Sequence, residues 1–350
     1  MFIKKLVKPD GRNLRLYSTR PILEEIIAPS ASATPINGIP TMRWHPLRGE
    51  WVAYASFRQN RTFLPPPEYN PLSRCQEKGF PTELPQGDYE VAVFDNLFPS
   101  LLRSADFPAN GACEVVVFDE NPRGSLGKLS LERIELILEV WGERTFDLAS
   151  QGLQYVMPFE NRGIEVGVTL HHPHGQIYSY PFIPPVPLRE LEMQKKYYDE
   201  FGKGLLEEMV RQECLHKERL ISEKESAVAF IPECARYPYE AWVLPKAPVL
   251  HLDKLTRDER RDLALVLKET LLKLDGLWDR PMPYLMVLHQ APTDGLPHRE
   301  AHLHFEIYPA LRTKDRLKYL AGTEIGAGMF ANDTLPEEKA KELREVKVDL

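Results

Sequence analysis

Cysteine is scarce in this chain. The 350 residues carry four, Cys75, Cys113, Cys214 and Cys234, and no two of them form a Cys-x-x-Cys pair. That spacing excludes a disulfide framework and a cysteine-built zinc knuckle, and it fits a reducing cytoplasm. Long apolar runs are missing too: nothing approaches the ~20 residues that span a bilayer. The N-terminal MFIKKLVKPDGRNLRLY lacks the apolar core of a signal peptide. Nor is there a surplus of basic charge. The formal net charge is -7, which excludes a general nucleic-acid binder with its basic patch or stripe. An acidic protein that binds an anion must concentrate cations locally. Arg58 and Arg61, in the run Arg58-Gln59-Asn60-Arg61, are one such concentration, although by residue type alone they read as a solvated loop.

What is present suits a soluble enzyme. Hydrophobic residues make up 43% and charged residues 27% of the chain, an ordinary globular balance. The length accommodates one large domain or two modest ones. Residues 1–40 mix basic residues with Ser, Ala and Pro and read as an extended arm. Strand patterns follow at 51–56, 89–94 and 114–118, interrupted by a proline-rich loop at 60–87. Leu131, Ile134, Leu138 and Trp141 recur at helical steps, predicting a helix over 131–149. Strands are expected at 154–159, 163–170 and 176–182, then one long helix over 188–223. The second half repeats the layout, with strands at 227–231 and 240–244, a helix over 255–277, strands at 284–290 and 301–308, and a closing helix over 335–346. The order predicts an α+β fold of two related halves, 41–222 and 223–350, each an antiparallel sheet with packed helices.

Histidine is unevenly spread. Seven of the ten lie in two stretches: His171, His172 and His174, then His289, His298, His302 and His304. Histidines two apart on a strand share a face, so each half presents a His-x-His pair. A lone histidine is usually a satisfied core residue, whereas paired clusters point to catalysis or metal ligation. In His172-Pro173-His174-Gly175-Gln176, Pro173 restrains the backbone and Gly175 lets a ligand approach it. A neutral imidazole is a competent nucleophile near pH 7. Gln176, two residues on, can hold phosphoryl oxygens with a neutral amide. These are parts for moving a phosphoryl-type group through a covalent intermediate.

That motif, preceded by Phe159-Glu160-Asn161-Arg162-Gly163, resembles the active-site strand of the galactose-1-phosphate uridylyltransferase family, a branch of the histidine-triad superfamily; further similarity runs from Arg43 to Val346. The resemblance implies His174 as the nucleophile on the α-phosphorus of UDP-glucose, with galactose-1-phosphate as second substrate. It implies Gln176 on the phosphoryl oxygens and the His172 carbonyl fixing the His174 tautomer. Arg58 and Arg61 match an arginine pair near the phosphates, Asn96 and Phe98 a nucleoside-binding stretch, and Asn161, Gly167 and Thr169 positions beside the phosphates. Lys318 and Glu324 match a sugar-contacting segment. Leu97 stands where the family often has Asp, and Thr323 where it has Tyr.

The family carries up to two metals. The ligand set Glu190, His289, His302 and His304 is complete here and implies one structural metal, iron or zinc by ligand type. For the other site the Cys-x-x-Cys pair is missing and Pro122 stands where a histidine is required. Of that set His172 remains, which does not make a tetrahedral zinc site. That zinc is expected to be absent and His172 to be oriented by hydrogen bonds; His171 and His298 are expected at the surface or in loops. The family also implies a homodimer. Two other readings stand beside transfer of UMP: an ADP-sugar phosphorylase or adenylyltransferase of the same superfamily, and a non-catalytic nucleotide- or metal-binding protein. A histidine-triad hydrolase is disfavoured, because such enzymes carry a third histidine where Gln176 stands.

Overall fold

A computed structural model describes the chain except residues 24, 35–37, 61–63, 67–68 and 77–78. Alternating side chains set its strands. In β5 (Val91–Asp95) and β6 (Ala112–Val117), Val91, Val93, Ala112 and Val116 enter one core, while Ala92, Phe94, Val115 and Val117 enter another on the opposite face. A period of two is what a strand requires to bury both faces.

In chain order the elements begin with the hairpin β1 (Phe2–Val7) and β2 (Asn13–Ser18), then a separate hairpin, β3 (Thr41–His45) and β4 (Glu50–Tyr54). After β5 and β6 come helix α1 (Leu131–Ala149), β7 (Tyr155–Arg162), β8 (His174–Tyr180), α2 (Pro185–Phe201) and α3 (Leu205–His216). The second half runs β9 (Leu220–Glu223), β10 (Ala227–Phe230), β11 (Ala241–Pro245), α4 (Arg257–Gly276), β12 (Tyr284–His289) and β13 (His304–Pro309). A short hairpin, β14 (Leu311–Thr313) and β15 (Arg316–Leu317), precedes α5 (Gly322–Ala327) and α6 (Pro336–Glu345). No described helix is long and apolar enough to cross a membrane.

Eleven strands form one antiparallel sheet in the order β1-β2-β5-β6-β8-β7-β12-β13-β11-β10-β9. The internal repeat expected from the sequence is visible in it. The run β5-β6-β8-β7 is mirrored by β10-β11-β13-β12, and α1 and α4 occupy equivalent places after β6 and β11. The halves do not form two sheets: β7 pairs with β12, so the sheet is continuous. Helices α1 and α4 touch each other and cover one face. Their starts are chemically marked, since Ser130 accepts from the Arg133 amide and Thr256 forms a capping box with Glu259.

Three expectations are corrected. The extended arm contains the β1–β2 hairpin, which joins the main sheet against β5; its alternating Leu14 and Leu16 bury fully. The long helix over 188–223 is two helices and a strand. Gly202, at φ +69°, ends α2 in the left-handed region that glycine enters without strain. The strand at 163–170 is a loop, because Gly163 and Gly167 take φ +98° and +79°.

Candidate active site

Strand β8 aims His174, Gln176 and Tyr178 to one side and buries Gly175, Ile177 and Ser179 on the other. The three line a cleft of about 360 Å³ on the face opposite α1 and α4. Gly175 is required there: a Cβ would lie 2.7 Å from the Phe118 ring and 2.9 Å from the Phe159 carbonyl oxygen. The loop 163–173 brings Gly167 and Thr169 to the cleft, β7 brings Phe159 and Asn161, and the end of β5 brings Phe94, Asn96, Leu97 and Phe98. Arg58 lines it too, its guanidinium held by the Phe98 carbonyl at 2.6 Å. Arg61 lies outside the described residues.

The histidine tautomers follow from their partners. His174 Nδ1 lies 2.7 Å from the His172 carbonyl oxygen. A carbonyl only accepts, so Nδ1 carries the proton and Nε2 keeps its lone pair. His172 Nε2 donates to the Asp119 carbonyl at 2.6 Å, and its Nδ1 accepts from Asn70 Nδ2 at 2.8 Å. The ring is therefore neutral and held at both nitrogens. Burial lowers the pKa of both histidines, against the weaker opposite pull of their backbone hydrogen bonds. Gln176 is oriented as well: Asn96 Nδ2 lies 3.5 Å from its Oε1, while Asn96 Oδ1 accepts from the Phe98 amide. Gln176 Nε2 is left to donate toward the cleft.

The second half repeats this frame. His304 Nδ1 donates to the His302 carbonyl at 2.8 Å, and His302 Nε2 donates to the Pro245 carbonyl at 2.9 Å. The difference is at His302 Nδ1, which is buried without a hydrogen-bond partner among the described residues. His302 lines a space of about 10 Å³ together with Glu190, His289, His304 and Gln194, whose buried Oε1 is also unpartnered. That is room for a single small ion or water. Ligand atoms of Glu190, His289, His304 and Glu306 all lie within 4.8 Å of one another. Glu190 Oε2 sits 2.6 Å from His289 Nδ1. Burial opposes charge on both groups, but their mutual contact lowers the Glu190 pKa and raises that of His289. An imidazole–carboxylate set with an unpartnered nitrogen beside it fits a transition metal.

Not every expected residue converges. Lys318 and Glu324 pair with each other at 2.8 Å and line a separate open groove, not the His174 cleft. His171 is exposed, whereas His298 is buried in its loop between Asp294 and Glu300. Sequence reasoning missed Asn70, which has no pattern to mark it in a proline-rich loop, and Ser32 and Glu83, which also line the cleft. It missed Glu306 too, although its offset from His304 matches that of Gln176 from His174 and could have revealed it.

Comparison with known proteins agrees with this geometry. Residues 32–184 and 190–350 match the N-terminal and C-terminal domains described as galactose-1-phosphate uridyl transferase. A galactose-1-phosphate uridylyltransferase of Thermotoga maritima is 36% identical over 325 residues, covering 88% of this chain and 99% of that protein. A solved uridylyltransferase structure has TM-score 0.77 at 33% identity, covering 87% of this chain and 97% of that one. An ADP-glucose phosphorylase from Arabidopsis thaliana with bound ADP-glucose has TM-score 0.69 at 26% identity, covering 88% of this chain and 100% of that one. From the tandem halves to the doubly held histidine strand, the chain belongs to the galactose-1-phosphate uridylyltransferase family.

Proposed function

We propose that the chain moves a uridylyl group from UDP-glucose to galactose-1-phosphate by way of a covalent adduct on His174. The observation that supports this is the hydrogen bond from His174 Nδ1 to the His172 carbonyl, which leaves the Nε2 lone pair free for attack. Nε2 attacks the α-phosphorus, an N–P bond forms, and the P–O bond to glucose-1-phosphate breaks. No proton need move, because the departing phosphate is a weak base. The ring becomes cationic on attack, so its Nδ1–H bond strengthens as the transition state forms. Gln176 Nε2 and Arg58 stabilise the phosphoryl oxygens, with Arg61 assigned the same role. Asn161, Gly167 and Thr169 line the phosphate path, and Asn96 and Phe98 the nucleoside. A phosphate oxygen of galactose-1-phosphate then attacks the phosphorus and the N–P bond breaks.

Glu190, His289, His302 and His304 would hold one divalent metal, iron or zinc, and Glu306, whose carboxylate converges with Glu190, His289 and His304, would be a further donor. Such a metal would tie α2 to β12 and β13, and no transfer step uses it. A homodimer would bring Lys318 and Glu324 of the partner subunit to the hexose, since within one chain they line another groove. The free, unpaired cysteines suit a cytoplasmic enzyme.

A second reading, adenylyl transfer from an ADP-sugar, is favoured by Leu97 in the cleft where Asp is common. Mass spectrometry after mixing with UDP-glucose or ADP-glucose separates the two. A uridylyl adduct on the peptide holding His174, lost in His174→Ala, is the expected result. An adenylyl adduct in its place supports the second reading, and no adduct with either donor ends both.

A further inference from the structure

The cleft has a far end that the transfer chemistry leaves unused. Gln176, Val115 and Phe94 are register partners on β8, β6 and β5 and face the same side. Neighbouring strands lie about 4.8 Å apart, so Phe94 is about 10 Å along the sheet from Gln176. That is the reach of a nucleoside from its phosphorus to the outer edge of its base. At this end sit Ser32 and Glu83, both lining the cleft. Lys8 stands over the Phe94 ring, its Nζ 5.6 Å from the centroid.

Glu83 is 3% exposed, and all four of its acceptor positions are filled. Lys8 Nζ and Arg12 Nη2 donate to Oε2 at 2.6 and 2.7 Å, and the Ser32 amide and hydroxyl donate to Oε1 at 2.8 and 2.6 Å. Burial works to raise its pKa, but Arg12, Lys8 and the Ser32 contact outweigh that and hold the carboxyl below its ordinary range. A carboxylate cannot donate. The Ser32 hydroxyl proton is thus committed to Glu83, and Ser32 Oγ offers the cleft lone pairs only. Lys8 and Arg12 come from the β1–β2 hairpin and its turn, ahead of residue 32 where the family match begins.

Given a nucleotide seated with its phosphorus at His174, we infer that Ser32 Oγ, polarised by the Glu83–Lys8–Arg12 cluster, is a specificity-determining acceptor for the N3–H of uracil. Cytosine presents a bare ring nitrogen at that position and is refused, as is any uracil whose N3 is blocked. Glu83 acts through Ser32 and is a positioning residue. The N-terminal hairpin thereby takes part in reading the base.

The test is equilibrium binding of UMP, CMP and N3-methyl-UMP, with KM and kcat for UDP-glucose alongside. The wild-type protein should prefer UMP to the other two by tenfold or more. Ser32→Ala should raise the UDP-glucose KM about tenfold, leave kcat within about twofold, and collapse the preference for UMP over N3-methyl-UMP. Glu83→Gln, which keeps an acceptor for Lys8, should lower the same preference with Ser32 still present. Equal binding of UMP and N3-methyl-UMP to the wild-type protein, or an unchanged preference in Ser32→Ala, overturns the inference. Binding needs no transfer, so this result is separate from the His174 adduct: an adduct with no base discrimination sinks the inference alone, and discrimination without an adduct sinks the transfer reading alone.

Discussion

A single imidazole can be read to the level of its protons here. His174 donates from Nδ1 to a carbonyl, so its reactivity depends on the segment that sets that carbonyl in place. The segment is held through His172, whose ring Asn70 and Asp119 grip from both sides. In the second half the equivalent nitrogen, His302 Nδ1, is left without a protein partner among the described residues. Asn70 thus supplies His172 Nδ1 with the partner that its counterpart lacks among the described residues. Asn70→Ala leaves a buried acceptor unmet, at about 1–3 kcal/mol. Steady-state kinetics should show kcat down about tenfold with KM little changed; a wild-type kcat would mean that Asn70 is idle. As the proposed nucleophile His174 must be neutral, and burial lowers its pKa below the ordinary 6.5. Activity should accordingly hold as pH falls through 6.5 and fail only below it, so an acid limb centred above 6.5 would contradict the burial argument.

Strand β7 carries a buried carboxyl with a displaced titration. Glu160 is buried, with Tyr284 donating to it at 2.7 Å. Burial pushes its pKa up from 4.5 to about 7, against the downward pull of Tyr284 and Arg162. A raised folded-state pKa gives stability that is complete below 4.5 and lost as pH rises to 7. The wild-type protein should lose up to about 1.4 kcal/mol per pH unit across that window relative to Glu160→Gln. Urea melts at pH 5, 6 and 7.5 measure this; parallel stability curves for the two proteins would refute it.

The same elements mark how far the sequence could be read. Helix α1 was legible end to end, because Leu131, Ile134, Leu138 and Trp141 keep one helical stripe. The histidine strand was legible because its chemistry is local. The loop 163–173 was not, since its valines and isoleucine carry strand propensity while Gly163 and Gly167 turn the backbone away from it. Glu83 and Ser32 were not legible either. Their pairing spans 51 residues and depends on a hairpin that reads as a featureless basic arm.

At the scale of the whole molecule, the groove holding Lys318 and Glu324 is apart from the cleft it is proposed to complete. Complementation tests whether a second chain closes that gap. His174→Ala and Lys318→Ala proteins, each nearly inactive alone, should on unfolding and remixing recover about a quarter of wild-type activity, since half of randomly formed dimers hold one intact site. No recovery, with mixed dimers demonstrated by mass, would place Lys318 in service of its own chain.

The seam between β7 and β12 carries a further consequence. Asn161 and Phe159, two walls of the cleft, are paired there with Leu285 and Val287 of the other half. A slip of one residue along that seam would rotate both out of the pocket. The second half thus works as the jig that keeps the first in register. A fragment ending at residue 184 would hold every described residue that lines the His174 cleft, yet present β7 as a bare edge, open to whatever strand met it first.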